Sequence, residues 1–474
     1  MAESIRQSLE REGLQGPQRI GVLTSDGVQT YAAILAILAN GGTYVPINSN
    51  SPIARNQSIV DEAGITGLVY DPADESISRM AAGLGVGRKI LPLRFATIPK
   101  GDSLHFRGED VSNPAYLLFT SGSTGKPKGV PIGHENLNNF MAVMLDSGIY
   151  DFHAADRFLQ MFELTFDLSV MSLFVPLSIG ACCYVVPDSS FGAATILKVL
   201  EEYEISAALM VPSMLVFLEP YLETKIRLPS MRHSMFCGEA LPDSLVQKWQ
   251  LAAPNSTIEN LYGPTEATIF CLRYLWDPAA SPAAAVNGIV PIGTPLPGTD
   301  VLLADEFGQP ISESGVKGEL LLMGAQLATG YWQDAEKTAA AFINVGDKPE
   351  AIRAYRTGDL CSLNAQGDFI YHGRIDSQVK IDGHRVELGE IEHHVRDVLN
   401  RSNIAVVAAS KGGRNFLALF VEESEIDLQE VTNALKARVP GYMIPTRLEC
   451  IDKLPLNLSG KVDRPILRKR LNDS

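Results

Sequence analysis

Apolar runs typical of strands alternate with amphipathic segments typical of helices along the first part of the chain. Residues 4–13 have helical spacing, and Arg19–Leu23 has the pattern of a strand. The alternation continues with a helix at Tyr31–Asn40, strands at Thr43–Ile47 and Gly67–Tyr70, and a helix at about 52–63 between those strands. It recurs from about 115 to 275. Strands that alternate with helices predict a layered α/β fold with a mostly parallel sheet.

The pattern changes near residue 285, where short apolar runs are separated by Gly and Pro turns. Three such runs predict a β-rich subdomain: Ile292–Pro295, Val301–Ala304 and Glu319–Met323. Another change follows the strand-like Phe369–Tyr371. We then expect a small α+β module with helices at Val386–Leu399 and Leu428–Val439 and strands at Ile404–Ala409 and Phe416–Val421. The predicted domains are therefore 1–375 and 376–474.

Composition favours a globular enzyme. The 474 residues are 46% hydrophobic and 20% charged, and 55 acidic against 40 basic residues give a net charge of −15. Such a surface repels phosphate backbones, so we expect no nucleic-acid partner. No apolar run approaches the roughly 20 residues of a membrane span, so we expect no membrane partner either. The six cysteines form no CxxC pair and the N-terminus has no signal-peptide pattern, which predicts a cytoplasmic location.

The segment 119–130, FTSGSTGKPKGV, follows the apolar run Tyr116–Phe119. Its glycines, hydroxyl side chains and lysines suit a loop whose backbone N–H groups and hydroxyls surround a polyphosphate. It differs from the common P-loop because Lys126 is followed by Pro127. A glycine-rich linker is the alternative interpretation. The candidate phosphate-binding residues are Thr120, Ser121, Gly122, Ser123, Thr124, Gly125 and Lys128.

Five further segments join this loop in a recognisable order. They are NLYGPTE at 260–266, YRTGDL at 355–360, GRID at 373–376, KIDGHRVELGEIE at 380–392 and NLSGKVD at 457–463. Together the six segments resemble the acyl-adenylate-forming (ANL) superfamily, most closely its stand-alone amino-acid adenylation enzymes, D-alanine:carrier-protein ligases and nonribosomal adenylation domains. The resemblance implies a large domain of layered α/β subdomains with a β-rich subdomain, followed by a small mobile domain. It also implies that the first domain is abbreviated at its start.

The resemblance implies ATP and Mg²⁺ as cofactors. Glu266 would hold a Mg²⁺ that bridges phosphate oxygens, although an exposed turn carboxylate is the alternative. Tyr262 offers a flat face to adenine. Asp359, with Arg374, would accept hydrogen bonds from ribose hydroxyls, unless Asp359 is a simple turn residue. The remaining nucleotide-binding candidates are Gly238, Glu239, Ala240, Gly263 and Thr265.

Two more roles are implied in the C-terminal module. Lys461 resembles the catalytic lysine of the superfamily, and Asp376 resembles the hinge about which the module rotates. A surface lysine is the alternative interpretation of Lys461. With Thr120 and Glu266, Lys461 completes the predicted catalytic set.

The sequence FDLSVM at 166–171 bears on the acid that is activated. By resemblance, Asp167 pairs with a substrate α-ammonium, because a buried ammonium needs a carboxylate. A helix N-cap is the alternative role of Asp167. By the same match, the side-chain pocket would be lined by mostly apolar residues: Leu168, Met171, Ser213, Met235, Cys237, Leu261, Ile269 and Phe270. Bulky neutral walls predict a small neutral amino acid, and Cys237 is either a substrate contact or an ordinary buried side chain.

The resulting hypothesis is an ATP-dependent, AMP-forming ligase. It would activate alanine, D-alanine, glycine or serine as an aminoacyl-adenylate, release pyrophosphate, and pass the acyl group to the phosphopantetheine thiol of a separate carrier protein. A basic segment at 464–470 either steers an acidic carrier or is only the solvated end of a helix. The alternatives are an acyl- or aryl-CoA ligase that uses free coenzyme A, and an adenylate-binding regulatory protein without turnover.

Overall fold

The computed structural model describes most of the chain. The described residues are 1–25, 27–93, 103–107, 113–122, 126–187, 192–222, 227–346, 351–375, 378–399, 403–411, 414–422, 426, 428–456 and 462–473. They form two compact units. The first unit comprises Met1–Ser49, Ala63–Leu118 and Gly129–Ile375; the second comprises Asn50–Glu62, Phe119–Lys128 and Asp376–Ser474. The predicted mobility of the C-terminal module stays a prediction.

The N-terminal part of the chain forms a six-stranded sheet in the order β4-β3-β1-β2-β5-β6. Its strands are β1 (Arg19–Leu23), β2 (Thr43–Ile47), β3 (Gly67–Tyr70), β4 (Lys89–Pro92), β5 (Pro114–Thr120) and β6 (Lys128–Gly133). The helices are α1 (Ala2–Arg11), α2 (Val28–Ala39), α3 (Ile53–Glu62), α4 (Glu75–Leu84) and α5 (His134–Leu145). β1 pairs in parallel with β2 and β3, as does β3 with β4. The predicted parallel α/β pattern is confirmed here.

A seven-stranded sheet follows in the order β13-β12-β11-β10-β9-β7-β8. Its strands are β7 (Arg157–Gln160), β8 (Cys182–Val185), β9 (Ala207–Met210), β10 (His233–Cys237), β11 (Thr257–Tyr262), β12 (Leu272–Leu275) and β13 (Thr294–Pro295). Its helices are α6 (Leu168–Ile179), α7 (Ala193–Glu202), α8 (Pro212–Leu222), α9 (Asp243–Ala252) and α10 (Ser281–Ala284). The strands from β7 to β11 are parallel. Their carboxyl ends therefore share one edge, where α/β sheets bind ligands.

The β-rich part of the first unit is antiparallel. It contains β14 (Thr299–Ala304), β15 (Lys317–Gly324), α11 (Ala335–Ala341), β16 (Phe342–Val345), β17 (Ile352–Leu363) and β18 (Phe369–Arg374). The strand predicted at Ile292–Pro295 was partly wrong, because only Thr294–Pro295 pairs with β12. Gly293 has a φ of +77°, which ends the extended run, and Ile292 instead donates its N–H to Phe369 O at 2.8 Å.

The second unit contains a hairpin and a three-stranded sheet. Its elements, after α3, are β19 (Gln378–Ile381), β20 (His384–Glu387), α12 (Leu388–Leu399), β21 (Ile404–Lys411), β22 (Arg414–Val421), α13 (Leu428–Lys436), β23 (Arg447–Cys450) and α14 (Arg464–Asp473). The helix predicted from Val386 begins at Leu388 instead. Asp382 and Gly383 have positive φ values and turn the chain, so that β20 pairs with β19 as a hairpin. Val386 belongs to β20 and is therefore not helical.

Buried side chains form the core of each unit. In the first unit the largest are aromatic: Tyr116, Phe140, Phe158, Phe236, Trp249, Tyr355 and Phe270. In the second unit, one apolar cluster contains Ile391 and Leu435, and another contains Phe420 and Leu467. Among the helices of the described ranges, none has both the length and the apolar character needed to span a membrane.

Candidate active site

The loops after β9 and β10 are tied together at the carboxyl edge of the seven-stranded sheet. Gly238 follows β10 with a φ of +101°, a backbone conformation that residues other than glycine rarely adopt. Glu239 Oε2 accepts a 2.8 Å hydrogen bond from the N–H of Ser213, in the first turn of α8. That carboxylate thus satisfies one of the free N–H groups of a helix start. Ala240, the next residue, is exposed.

A tight loop joins β11 to β12 and carries several predicted site residues. Gly263 lies so close to the returning chain that a Cβ there would be 2.4 Å from Phe270 Cα. Thr265–Ala267 forms a 3₁₀ turn, and Thr268 and Ile269 follow with φ values of +56° and +75°. Two β-branched residues in the left-handed region are unusual and cost free energy. Surrounding contacts must therefore hold this loop.

Glu266 lies in that loop and is fully buried. Its Oε1 accepts a 2.8 Å hydrogen bond from the hydroxyl of Tyr331, and its backbone oxygen accepts one from Ala328 N at 2.8 Å. The interpretation as an exposed turn carboxylate was therefore wrong. A buried, oriented carboxylate fits a Mg²⁺ site, because Mg²⁺ is typically held by one or two carboxylates together with phosphate oxygens.

Asp167 is also buried, with 6% of its surface exposed. It precedes α6 at the N-cap position, yet its side chain makes no capping hydrogen bond. Instead its Oδ2 accepts a 2.7 Å hydrogen bond from Thr265 Oγ1.

The hydroxyl of Tyr116 is buried and has no hydrogen-bond partner among the described residues. Burial raises the pKa of that hydroxyl well above its usual range, and the charge of Asp167 raises it further.

The predicted pocket residues are all buried and lie around this same edge. Leu168 and Met171 come from α6, Ser213 from α8, Met235 and Cys237 from β10, Leu261 from β11, and Ile269 and Phe270 from the following loop. Cys237 pairs with Leu261 across the parallel strands, so their side chains point to the same face. The Phe270 ring packs edge-on against Phe140 with 5.0 Å between the ring centroids. Cys237 is as buried as a core residue, so both of its interpretations remain.

Asp359 joins β11 to the β-rich part of the first unit. It lies within β17, at an irregularity in the pairing with β18, so the interpretation as a turn residue was wrong. Its Oδ1 accepts a 3.0 Å hydrogen bond from Arg374 Nη1, and its Oδ2 accepts a short one from the hydroxyl of Tyr262. Burial raises the pKa of the Tyr262 hydroxyl well above its usual range, and the Asp359 charge adds to this, so the hydroxyl stays a donor.

Two of the phosphate-loop candidates, Ser121 and Gly122, lie in the second unit and contact the KIDGHRVELGEIE segment. Ser121 Oγ donates to Arg385 O at 2.7 Å and accepts from Glu387 N at 3.1 Å. Gly122 N donates to Glu390 Oε2 at 3.1 Å, and Arg55 pairs with the other oxygen of Glu390 at 2.6 Å. A Cβ on Gly122 would lie 2.0 Å from Lys126 O, so only glycine fits there.

Thr120 has a buried hydroxyl without a hydrogen-bond partner in the described parts of the chain. Such a group fits the predicted contact with a phosphate oxygen, which would satisfy it. Lys128 begins β6 and is buried. Ser123, Thr124, Gly125, Asp376 and Lys461 lie outside the described residues, so their predicted roles stay predictions.

Sequence reasoning missed two residues at the β11–β12 loop, one of which contacts Glu266. Tyr331 lies 65 positions away in the chain and reaches the carboxylate through its hydroxyl. Gln326 is buried beside the same loop. No motif indicated either contact.

The sequence profile of AMP-binding enzymes matches residues 1–332. The chain belongs to this family. The predicted membership of the adenylate-forming superfamily is therefore confirmed, and with it the class of ATP-dependent, AMP-forming ligases.

Relatives of this family member include synthases of similar size and much longer ones. It is 32% identical over 482 residues to zwittermicin A synthase ZmaJ of Bacillus cereus, covering 97% of this chain and 87% of the relative. It is 30% identical over 479 residues to a dimodular nonribosomal peptide synthase of Bacillus subtilis (strain 168), covering 98% of this chain but 19% of the relative. The chain thus spans about a fifth of that longer relative.

Solved adenylation structures share the fold. The Vibrio cholerae adenylation domain AlmE, in complex with glycyl-adenosine-5′-phosphate, has a TM-score of 0.86 and 28% identity over 100% of this chain and 91% of that one. Holo-PA1221, a nonribosomal peptide synthetase protein with adenylation and peptidyl-carrier domains, has a TM-score of 0.85 and 26% identity over 99% and 78%. The predicted layered α/β architecture is confirmed by both.

Proposed function

We propose that this AMP-binding enzyme activates a small neutral amino acid as an aminoacyl-adenylate. The proposal depends on one observation above all: Asp167 is buried, does not cap its helix, and contacts Thr265 of the NLYGPTE loop. A carboxylate in this environment is costly unless a cation or donors compensate it. A substrate α-ammonium provides that compensation, whereas a fatty or aryl acid has no cationic group to offer.

The neighbouring side chains restrict the size and charge of the substrate. The pocket candidates Leu168, Met171, Leu261 and Phe270 are apolar, large and buried, and none of them can neutralise a charged substrate side chain. This supports alanine, D-alanine, glycine or serine. The relative AlmE was solved with glycyl-adenosine-5′-phosphate, which agrees with a small side chain.

The proposed nucleotide-binding residues of the first unit are Asp359, Arg374, Tyr262 and Glu266. Asp359, held by Arg374, offers carboxylate oxygens to ribose hydroxyls, and the ring of Tyr262 offers a face to adenine. Glu266 would hold Mg²⁺, which would neutralise phosphate charge while the carboxylate of the amino-acid substrate attacks the α-phosphate of ATP. Thr120 and its loop would donate to the phosphates, and Lys461 would neutralise the reacting carboxylate and α-phosphate.

We further propose that the acyl group passes to the phosphopantetheine thiol of a carrier protein in trans. The PA1221 structure combines an adenylation domain with a carrier domain, which supports this type of acceptor. The predicted hinge at Asp376 would let one site serve both the adenylation and the thioester step.

Pyrophosphate exchange with a panel of amino, fatty and aryl acids tests the proposal. We expect ATP- and Mg²⁺-dependent exchange with small neutral amino acids and a background rate with the other acids. Exchange confined to fatty or aryl acids would replace the proposal with a CoA ligase. Tight nucleotide binding without exchange for any acid would replace it with a regulatory adenylate-binding protein.

A further inference from the structure

Gln326 lies two residues after β15 and is 2% exposed. Its side-chain Nε2 donates to two backbone oxygens of the β11–β12 loop, to Ala267 O at 3.3 Å and to Phe270 O at 3.2 Å. Thr268, in the same loop, returns a hydrogen bond from its Oγ1 to Gln326 O at 2.6 Å. Gln326 is thus hydrogen-bonded to the residues on either side of the Thr268–Ile269 pair and to Thr268 itself.

The loop needs such support because of its backbone conformation. Thr268 and Ile269 both have positive φ values, a backbone conformation that costs free energy in a β-branched residue. The bonds from Gln326 bracket these two residues, since Ala267 precedes them and Phe270 follows them. Without the amide, two buried carbonyl oxygens would lose donors, and the loop would lose contacts that oppose its relaxation.

The loop also connects two functional elements. Glu266, the predicted Mg²⁺ ligand, immediately precedes Ala267, and Phe270, a predicted wall of the amino-acid pocket, is itself a partner of Gln326. We propose that Gln326 is a positioning residue: by holding the β11–β12 loop, it fixes the positions of both the Glu266 carboxylate and the Phe270 side chain. This inference rests on the proposed function, because it assumes that Glu266 and Phe270 serve metal and amino-acid binding.

The chemistry of the side chain is specific to an amide. Gln326 Oε1 is buried and has no hydrogen-bond partner among the described residues, so the two carbonyl oxygens fix the amide with its nitrogen toward the loop. A glutamate in this position would present carboxylate oxygens to carbonyl oxygens, and a methionine would fill the space without donating. Gln326→Met therefore removes the hydrogen bonds with the smallest change of volume.

The test compares Gln326→Met with Thr268→Val, which removes only the bond to Gln326 O, and with a matched control, Gln250→Met. Gln250 lies on α9, and its Oε1 accepts a hydrogen bond from Trp276 Nε1. Pyrophosphate-exchange kinetics give KM for the amino acid, KM for ATP and the Mg²⁺ concentration for half-maximal rate. Hydrogen–deuterium exchange by mass spectrometry reports on the 265–270 loop without any turnover.

For Gln326→Met we expect about a tenfold rise in the amino-acid KM and in the half-saturating Mg²⁺ concentration. The preference between alanine and larger amino acids should change as well, while KM for ATP stays within about twofold. Deuterium uptake at 265–270 should become faster. Thr268→Val should show the same changes more weakly, and Gln250→Met should show none.

A different result overturns the inference. If Gln326→Met lowers kcat but leaves both KM values, the Mg²⁺ requirement and substrate preference unchanged, Gln326 is only structural. Unchanged deuterium uptake at 265–270 in both variants shows that the hydrogen bonds of Gln326 do not hold the loop. If wild type exchanges with no amino acid, the proposed function fails, and the deuterium-exchange comparison still decides whether Gln326 holds the loop.

Discussion

Asp167 precedes helix α6 without capping it, and its Oδ2 accepts a 2.7 Å hydrogen bond from Thr265 Oγ1. Thr265 is adjacent to Glu266 in the β11–β12 loop. The residue proposed to recognise the amine and the residue proposed to hold Mg²⁺ are therefore separated by a single threonine. Asp167 is proposed to contact the substrate amine directly, whereas it reaches Glu266 only through Thr265. A change at Asp167 is therefore expected to weaken amino-acid binding more than Mg²⁺ binding.

Asp167→Asn should raise the KM for the amino acid about 100-fold or more. Removing one partner of a buried charge pair typically costs about 3–5 kcal/mol, and part of the Thr265 hydrogen bond survives in the amide. KM for ATP should stay nearly unchanged, because Asp167 lies with the amino-acid pocket candidates. Pyrophosphate exchange at varied amino acid and varied ATP measures both constants.

An aspartate in a surface turn provides the control for that experiment. Asp305, whose Oδ1 accepts from Phe307 N in that turn, can be changed to Asn with the same loss of charge. We expect wild-type constants for Asp305→Asn. A wild-type amino-acid KM in Asp167→Asn would remove the amine-recognition role.

Tyr262 combines a ring and a hydroxyl whose roles can be separated. The hydroxyl donates to Asp359 Oδ2, whereas the proposed contact with adenine uses the ring. Tyr262→Phe should change KM for ATP by less than about threefold, because Arg374 still holds Asp359. Tyr262→Ala should raise it by about tenfold or more, because it removes the stacking surface. Equal effects of the two variants would show that the hydroxyl, not the ring, matters.

Gly263→Ala should destabilise the first unit and reduce amino-acid activation. The added Cβ would lie 2.4 Å from Phe270 Cα, so the backbone of the pocket loop must move. Overpacking of this kind costs about 1–3 kcal/mol or more. Thermal unfolding and exchange kinetics measure the two effects. Gly441→Ala is the control, because no atom lies within 4 Å of its built Cβ; a wild-type melting temperature for Gly263→Ala would contradict the close contact.

Much of this fold was predictable because local pattern and tertiary structure agree. Arg19–Leu23, Thr43–Ile47 and Gly67–Tyr70 are strands with the predicted bounds, since β-rich apolar runs there also form the centre of a sheet. The helix predicted from Val386 begins two residues later because hairpin pairing, a tertiary contact, takes the first residues. Local apolar spacing does not contain that information.

The candidate site could be proposed from the sequence only where its residues belong to motifs. Glu266, Asp359 and Asp167 belong to recognisable segments, and the structure buries all three. Tyr331 and Gln326 lie in a segment without a chemical signature, and their contacts span 65 and 59 positions of sequence. Such contacts arise only when the β-rich part packs beside the β11–β12 loop.

Lys461→Ala tests the proposed catalytic lysine, which lies outside the described part of the chain. A lysine that neutralises the reacting carboxylate and α-phosphate acts in the transition state, so its loss should lower kcat for adenylation by about 100-fold or more. ATP binding, measured by calorimetry, should be largely retained. Lys453→Ala, in the same module, is the charge-matched control. Full adenylation activity in Lys461→Ala would refute the assignment.

We expect His384 to make the stability of the second unit depend on pH. Its ring stacks on Tyr442 with 3.8 Å between centroids and 2° between planes. Burial lowers the pKa of His384 to about 4, partly opposed by the charge of Asp382. The unfolded chain protonates this histidine near pH 6.5. The unfolded state therefore binds the proton first as pH falls, and the stability contributed by the neutral ring is present above about pH 6.5 and is lost toward pH 4.

His384→Phe retains an aromatic partner for Tyr442 and cannot be protonated. Other groups titrate in both proteins, so the informative quantity is the difference between their melting temperatures. We expect wild type to lose several degrees relative to His384→Phe between pH 7 and pH 5, and NMR of ¹³C-labelled histidine to show one resonance that titrates near 4. A difference that does not vary with pH, together with a His384 resonance (the one absent from His384→Phe) that titrates near 6.5, would show that the His384 ring is solvated rather than buried.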